Sequence, residues 1–117
     1  MEARVDSDVW AVIGGGLHTD ESLAECALRE VAEETGIMLS TDQLEFVKMY
    51  DDPSRIAAYP DGNVLRVITV VYRVCLEQEP ALHCSEESKE LRFFSKEDLR
   101  DLLIANTHIP IMEDYLA

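Results

Sequence analysis

The sequence predicts a single domain of the mixed α/β (α+β) class, and three observations support this. A short apolar segment, residues 10–13, runs into three consecutive glycines, and a helix signal follows them. A long stretch, residues 64–76, is rich in β-branched side chains, as strands are. The remaining helix-like and strand-like segments show no internal repeat, low-complexity stretch or linker. We therefore predict one domain over residues 1–117.

Local signals place the elements along the chain. Ser22 and Glu25 fit a capping box at the start of a helix, and Gly36 fits its end. The turn signal at residues 60–63 predicts a hairpin. In residues 64–76 both the odd- and the even-numbered positions carry apolar residues, which predicts a central strand covered on both faces. The predicted strands are residues 10–13, 44–50, 56–59, 64–76 and 90–94, and the predicted helices are residues 22–35, 95–106 and 109–116.

Composition excludes several classes of protein. The 24 acidic residues against 10 basic ones give a formal net charge of −14. Such a surface repels the phosphate backbone, so we expect no nucleic-acid partner. A phosphate-bearing substrate would need a cation between its phosphates and the carboxylates, and a bound divalent metal can supply it.

The cysteines and the apolar runs predict a cytoplasmic protein without membrane association. The three cysteines are an odd number, and their spacing does not resemble a zinc site. The N-terminus lacks the apolar core of a signal peptide. The longest apolar run, residues 64–76, is too short to span a bilayer and contains Arg66 and Arg73.

Three glutamates cluster on one face of the first predicted helix. Glu30, Glu33 and Glu34 are spaced i,i+3 and i,i+4, so their carboxylates are neighbours. Like charges at these spacings disfavour a helix by about 0.2–0.5 kcal/mol per pair, and Arg29 supplies only one compensating charge. The cluster is typical either of a solvated acidic face or of a site for a hard divalent cation, which prefers oxygen ligands.

The residues around the cluster favour the cation site. Gly15 is followed by five residues, Glu21, seven residues, and then the nine residues 29–37, which read Arg-Glu-Val-Ala-Glu-Glu-Thr-Gly-Ile. This pattern resembles the Nudix box of MutT-like hydrolases at each of its defining positions. Beyond the box, Trp10 before the glycines and residues 91–94 before a helix are similar to Nudix domains of the ADP-ribose or nucleotide-sugar pyrophosphatase kind.

The resemblance implies a fold, a reaction and a class of substrate. The fold would be an α/β/α sandwich, in which a mixed β-sheet is packed between helices. The reaction would be attack of water on the diphosphate linkage of a nucleoside diphosphate joined to another group X, with Mg²⁺ or Mn²⁺ as cofactor. The partner would be a small-molecule nucleotide such as ADP-ribose, a nucleotide sugar or a nucleoside triphosphate.

The resemblance also implies roles for residues of the box. Glu33 and Glu34 would coordinate the metal together with the Gly14 carbonyl. Glu30 would be a further ligand, or would help to position and deprotonate the attacking water. Arg29 would hold the box together through salt bridges to its own glutamates, including Glu21. Metal ions neutralise a diphosphate and lower the pKa of bound water, which this reaction needs.

Other positions are less determined. Glu86 or Glu87, in a later loop, would supply the additional acid that completes the site in many Nudix enzymes, although an exposed acidic loop explains these residues equally well. Ile13 replaces a proline that usually precedes the glycines, which would change the rigidity of the loop. His18 stands at an often acidic position, and we assign it no role. The residues that bind the base and X remain unassigned.

The region before the glycines is shorter than in the Nudix domains that the chain resembles. About a dozen residues precede the glycines, so we expect one or more N-terminal strands to be absent. A missing strand would leave unpaired backbone groups at a sheet edge. Truncation, a strand borrowed by dimerisation and a rearranged sheet are all open explanations. The expected consequence is a homodimer or a poorly soluble chain.

Two alternative functions remain open at this stage. One is a non-catalytic Nudix-fold module that binds a nucleotide or a partner protein and lost its activity with its N-terminal segment. The other is a simple acidic binder of divalent metals. The complete set of glutamates favours the hydrolase over both.

Overall fold

The computed structural model describes residues 1–4, 9–84, 86 and 88–117. The strands are β1 (Glu2–Arg4), β2 (Trp10–Ala11), β3 (Glu45–Tyr50), β4 (Ile56–Ala58), β5 (Val64–Arg66), β6 (Thr69–Arg73) and β7 (Ser88–Leu91). The α-helices are α1 (Leu23–Thr35), α2 (Lys96–Leu99) and α3 (Ile109–Leu116), and 3₁₀ turns cover Thr41–Gln43 and Asn106–His108. In this part of the chain no helix is long and apolar enough to cross a membrane.

The strands of the described residues form three small antiparallel sheets. Their orders are β2-β1-β7, β3-β6 and β4-β5, and one isolated parallel bridge joins Trp10 to Ile104. The sequence does not predict β1, because three residues of mixed polarity show no alternation. Although it precedes the glycines by few residues, β1 lies in the middle of its sheet, and Glu2 is only 2% exposed there.

The single long strand predicted over residues 64–76 is wrong. The structure divides this stretch into β5, which pairs with β4, and β6, which pairs with β3. Arg55 causes the break: its backbone carbonyl accepts the Val67 N–H at 2.8 Å, and its Nε donates to the Val67 carbonyl at 3.2 Å. Nor is the stretch covered on both faces, since Val64 is 64% exposed.

The predicted second helix, residues 95–106, is also much shorter in the structure. Ser95 caps it as expected, but α2 ends at Leu99. The backbone groups that follow pair with β2 instead, because the Trp10 N–H donates to the Leu103 carbonyl and the Ala105 N–H donates to the Trp10 carbonyl, at 2.8 and 2.9 Å. The final helix has the predicted bounds, with Pro110 in its first turn.

Helix α1 has the predicted caps at both ends. The Ser22 hydroxyl accepts the Glu25 N–H at 3.2 Å, and a Glu25 carboxylate oxygen accepts the Ser22 N–H at 2.9 Å. Gly36 ends the helix with φ of 77°, a conformation that favours glycine. Next to it, the His83 N–H donates to the Thr35 carbonyl at 2.9 Å. These contacts fix the position of the glutamates on the last two turns of α1.

Candidate active site at the glycine segment and α1

Arg29 is the centre of the network that joins α1 to the residues before it. Its Nε and Nη2 donate to the two carboxylate oxygens of Glu21 at 2.9 and 2.8 Å. Nη2 also donates to the Gly16 carbonyl at 2.9 Å. A guanidinium can make this two-pronged contact because its N–H groups form a rigid planar fork. The salt bridge expected between Arg29 and Glu21 is therefore present, and it ties the helix to the glycine segment.

The same contacts fix the charges of both partners. Hydrogen bonds from Arg29 and then from the His18 N–H lower the pKa of Glu21 from its ordinary 4.5 to about 2. Hydrogen bonding to Glu21, and secondarily to Glu30, raises the pKa of Arg29 above its usual range. Both side chains are therefore charged throughout the neutral pH range.

Acid is expected to weaken this network in a defined pH window. Because the pKa of Glu21 is lower in the folded protein, its contribution to stability is complete above about pH 4.5 and is lost as the pH falls towards 2. The free energy of unfolding of the wild type should therefore fall more steeply over this window than that of Glu21→Gln. Denaturant unfolding of both proteins at stepped pH measures the difference, and parallel curves would contradict the prediction.

Arg29 also contacts two of the three clustered glutamates. Its Nη1 donates to Glu30 Oε1 at 2.8 Å and to Glu33 Oε2 at 3.2 Å. The Glu30 side chain is 13% exposed, whereas that of Glu33 is 59% exposed. A Cβ added to Gly15 would lie 2.4 Å from the Glu30 carboxyl carbon. The absence of a side chain at Gly15 is thus what allows the Glu30 carboxylate to lie against the backbone.

Glu34 contacts the glycine segment directly. It is 5% exposed, and its Oε2 accepts the Gly14 N–H at 2.9 Å. The structure therefore brings Glu34 next to Gly14, whose carbonyl the resemblance implied as a further metal ligand. The Glu30 and Glu34 carboxylates both lie against the glycine segment, at Gly15 and Gly14, while Glu33 extends towards solvent.

Cys26 is a member of this network that the sequence analysis missed. Its thiol is buried and lies 3.6 Å from the Gly16 carbonyl, to which it can donate, and 3.8 Å from Arg29 Nη2. Burial, together with the nearby Glu21 carboxylate, raises the pKa of the thiol. Only its i,i+3 spacing from Arg29 marks Cys26 in the sequence, because the position lies between the defining residues of the box.

The later acidic loop does not add to the network in the described residues. Glu86 lies exposed in a turn, and Glu87 lies outside the described residues. Residues 1–4, 9–84, 86 and 88–117 contain no group of three or more Asp, Glu, His or Cys side chains that is arranged to hold a metal ion. In this arrangement Arg29 Nη1 occupies one oxygen each of Glu30 and Glu33. The candidate ligand atoms are nevertheless of the type that Mg²⁺ or Mn²⁺ prefers, since all of them are carboxylate or carbonyl oxygens.

Comparison with known proteins decides the family. Residues 2–115 match the NUDIX domain. The chain belongs to the Nudix family. The predicted fold class is confirmed by a solved Nudix structure, that of a bifunctional NMN adenylyltransferase/ADP-ribose pyrophosphatase from Francisella tularensis complexed with AMP and a Mn ion. It aligns with a TM-score of 0.68 and 25% identity, and the alignment covers 100% of this chain and 37% of that one.

The similar curated proteins include a nucleoside triphosphatase and an ADP-ribose pyrophosphatase. Nucleoside triphosphatase NudI from Enterobacter sp. (strain 638) is 28% identical over 95 residues, which cover 80% of this chain and 66% of the relative. ADP-ribose pyrophosphatase from Methanocaldococcus jannaschii is 29% identical over 107 residues, which cover 92% of this chain and 57% of the relative. The Nudix chain thus spans less than two thirds of the length of either protein.

Proposed function

We propose that this Nudix chain provides the catalytic site of a metal-dependent pyrophosphohydrolase, which uses water to cleave the diphosphate linkage of a nucleoside diphosphate joined to another group X. The observation that carries the proposal is the burial of Glu34 against the Gly14 amide. A solvated acidic face would leave all three glutamates exposed, yet Glu34 is 5% exposed and the Glu30 side chain 13%. Such positioned carboxylates are the oxygen ligands that a hard divalent cation prefers.

Glu33, Glu34 and the Gly14 carbonyl would hold the Mg²⁺ or Mn²⁺ ion, with Glu30 as a further ligand or as the base for the attacking water. When bound, the ion would neutralise the diphosphate and lower the pKa of the water. Glu33 is the carboxylate best able to leave Arg29 for a cation, because 59% of its side chain is exposed. Arg29 keeps its contacts with Glu21 and Gly16 and so holds the helix in register with the glycine segment.

We propose ADP-ribose as the first substrate to test. Two of the three proteins compared above are ADP-ribose pyrophosphatases by name, and the third is a nucleoside triphosphatase. With a net charge of −14, the chain would repel either substrate unless the bound cation compensates the phosphates. We therefore expect activity to depend strictly on the divalent metal.

The deciding experiment is a hydrolysis panel with the purified chain. ADP-ribose, a nucleotide sugar and a nucleoside triphosphate are each incubated with Mg²⁺, with Mn²⁺ or with a chelator, and the products are separated by ion-exchange chromatography. The expected result is AMP from ADP-ribose in the presence of metal and none with the chelator. A folded chain that binds the metal but turns over no member of the panel would overturn the proposal.

One observation favours a second candidate, a Nudix-fold module that binds a nucleotide without cleaving it. In the described residues no group of three or more Asp, Glu, His or Cys side chains is arranged to hold a metal ion, and Arg29 donates to Glu30 and Glu33. Calorimetric titration with ADP-ribose separates the two candidates when it is read beside the panel. Binding without turnover identifies the module, whereas metal-dependent turnover identifies the hydrolase.

A further inference from the structure

Arg55, just before β4, is a buried cation without an ion-pair partner. It is only 6% exposed, although its neighbours Ser54 and Ile56 are exposed. The chain carries 24 acidic residues, yet no carboxylate in the described ranges forms an ion pair with Arg55. A guanidinium stays charged inside a protein, so its burial without a counter-charge costs folding free energy. The position therefore favours an anion that the described residues do not supply.

The hydrogen bonds of Arg55 leave one edge of its guanidinium without an acceptor. Nε donates to the Val67 carbonyl at 3.2 Å, and Nη2 donates to Thr69 Oγ1 at 2.8 Å, so both acceptors are neutral. Nη1 is enclosed. In the part of the chain that the structure describes, it is the one buried side-chain nitrogen or oxygen without a hydrogen-bond partner. Buried donors of this kind usually have an acceptor, so we expect a bound group to supply one.

Two acidic side chains near Arg55 are engaged by other donors. Asp52 Oδ1 accepts the Ser54 N–H at 2.8 Å and the Ser54 hydroxyl as well. These hydrogen bonds, and to a smaller extent the charge of Arg55, lower the pKa of Asp52. Asp114 accepts the Tyr50 hydroxyl at 2.7 Å, while Arg55 lies 5.7 Å from the centre of the Tyr50 ring. Neither carboxylate therefore neutralises the guanidinium by direct contact.

We infer that Arg55 and Thr69 form a binding site for the phosphate group of a small molecule. The free edge of the guanidinium, Nη1 with the second N–H of Nη2, can donate two parallel hydrogen bonds to one oxyanion. The Thr69 hydroxyl accepts from Nη2 and still has its own hydrogen to donate, so a third donor lies next to this edge. A phosphate group has three oxygens that can accept from these donors.

Entry to this phosphate site depends on residues 51–54. All four are exposed and lie in the loop that precedes Arg55. Because Nη1 is enclosed, a phosphate must displace the atoms that cover it, and an exposed loop is the kind of segment that moves at low cost. Binding should therefore perturb the backbone amides of residues 51–54. Asp52 in this loop carries a negative charge that opposes the entering phosphate.

Titration of the ¹⁵N-labelled wild-type chain with inorganic phosphate, followed by NMR, tests the site. A chelator and constant ionic strength keep metal-bound phosphate out of the measurement, so the result is independent of the hydrolysis panel. The Arg55 Nε–H signal and the amides of residues 51–54 should shift and saturate in the millimolar range. The signals of Arg73, which is exposed and paired with Glu45, should not. A second titration with AMP separates the two sources of phosphate, since a dissociation constant about 10-fold lower for AMP identifies a nucleotide as the ligand.

Substitutions test the roles of the individual side chains. Arg55→Lys should raise the dissociation constant for phosphate by about 10-fold or more, because lysine lacks the planar edge. Arg73→Lys, the matched control at an exposed position, should leave it unchanged. Asp52→Asn should lower it, because the opposing charge is removed.

The wild-type titration decides the question even if Arg55→Lys fails to fold. A folded chain whose Arg55 signal does not saturate at tens of millimolar phosphate would overturn the inference. Equal shifts at Arg73, or a crystal grown in phosphate that holds only a water molecule at Nη1, would also overturn it.

Discussion

Replacement of Glu34 by glutamine is expected to lower kcat for ADP-ribose hydrolysis by about 100-fold or more, which corresponds to about 2.7 kcal/mol in the activation free energy. Glutamine has the shape of glutamate and keeps an oxygen that can accept the Gly14 N–H, now 2.9 Å from Glu34 Oε2. The substitution therefore removes the charge that would bind the cation while it preserves the contact that positions the side chain. The steady-state rate at saturating Mg²⁺ is the measurement.

The control for this prediction is Glu113→Gln, which makes the same chemical change on an exposed position of α3. It should leave kcat unchanged. Thermal unfolding of both variants confirms that the fold is retained. If Glu34→Gln folds normally and its kcat stays within a few-fold of the wild type, Glu34 does not hold the cation and the assignment of the site is wrong.

Replacement of Arg29 by lysine is expected to weaken Mg²⁺ affinity and activity by about 10–100-fold, the usual effect of losing a residue that positions metal ligands. Lysine keeps the positive charge. It lacks the fork that contacts Glu21 through two nitrogens while a third nitrogen reaches Glu30 and Glu33. Arg29 would therefore act as a positioning residue, and its loss should loosen the glutamates.

Two measurements distinguish positioning from a general loss of stability. Calorimetric titration with Mg²⁺ should show the weaker affinity directly, and raising the Mg²⁺ concentration should restore part of the activity of Arg29→Lys but not that of Glu34→Gln. Arg100→Lys, an exposed position at the end of α2, serves as the control. Unchanged Mg²⁺ affinity in folded Arg29→Lys would refute the positioning role.

The sequence predicted the parts of this fold that depend on neighbouring residues. The capping contacts at Ser22 and Gly36 join residues three or four positions apart, so the local sequence pattern alone was sufficient to predict them. The break between β5 and β6 depends on Arg55, which lies twelve positions before Val67 and acts through the folded chain. Hydrophobic composition could not reveal it, because the same residues could also form one long buried strand.

In the candidate site, too, the sequence predicted the local features but not the contacts between distant residues. The spacing of Glu30, Glu33 and Glu34 placed them on one face of a helix, and the pattern of the box suggested that Arg29 would pair with Glu21. Their unequal burial could not be predicted, because it depends on how the glycine segment folds back onto α1. Cys26 was missed for the same reason, since its contact with Gly16 exists only in the folded chain.

Two glycines of the box both leave little room for a Cβ, but only one of them also has a positive φ. Gly36 has a positive φ of 77°, a backbone shape that is unfavourable for L-residues and natural for D-residues. A D-residue would thus relieve the backbone constraint at Gly36. Gly15 has no such backbone shape, and it is constrained by volume, because the Glu30 carboxylate occupies the place of its Cβ. Gly36 is thus constrained by handedness as well as by the nearby His83 side chain, whereas Gly15 is constrained by the space that the Glu30 carboxylate occupies.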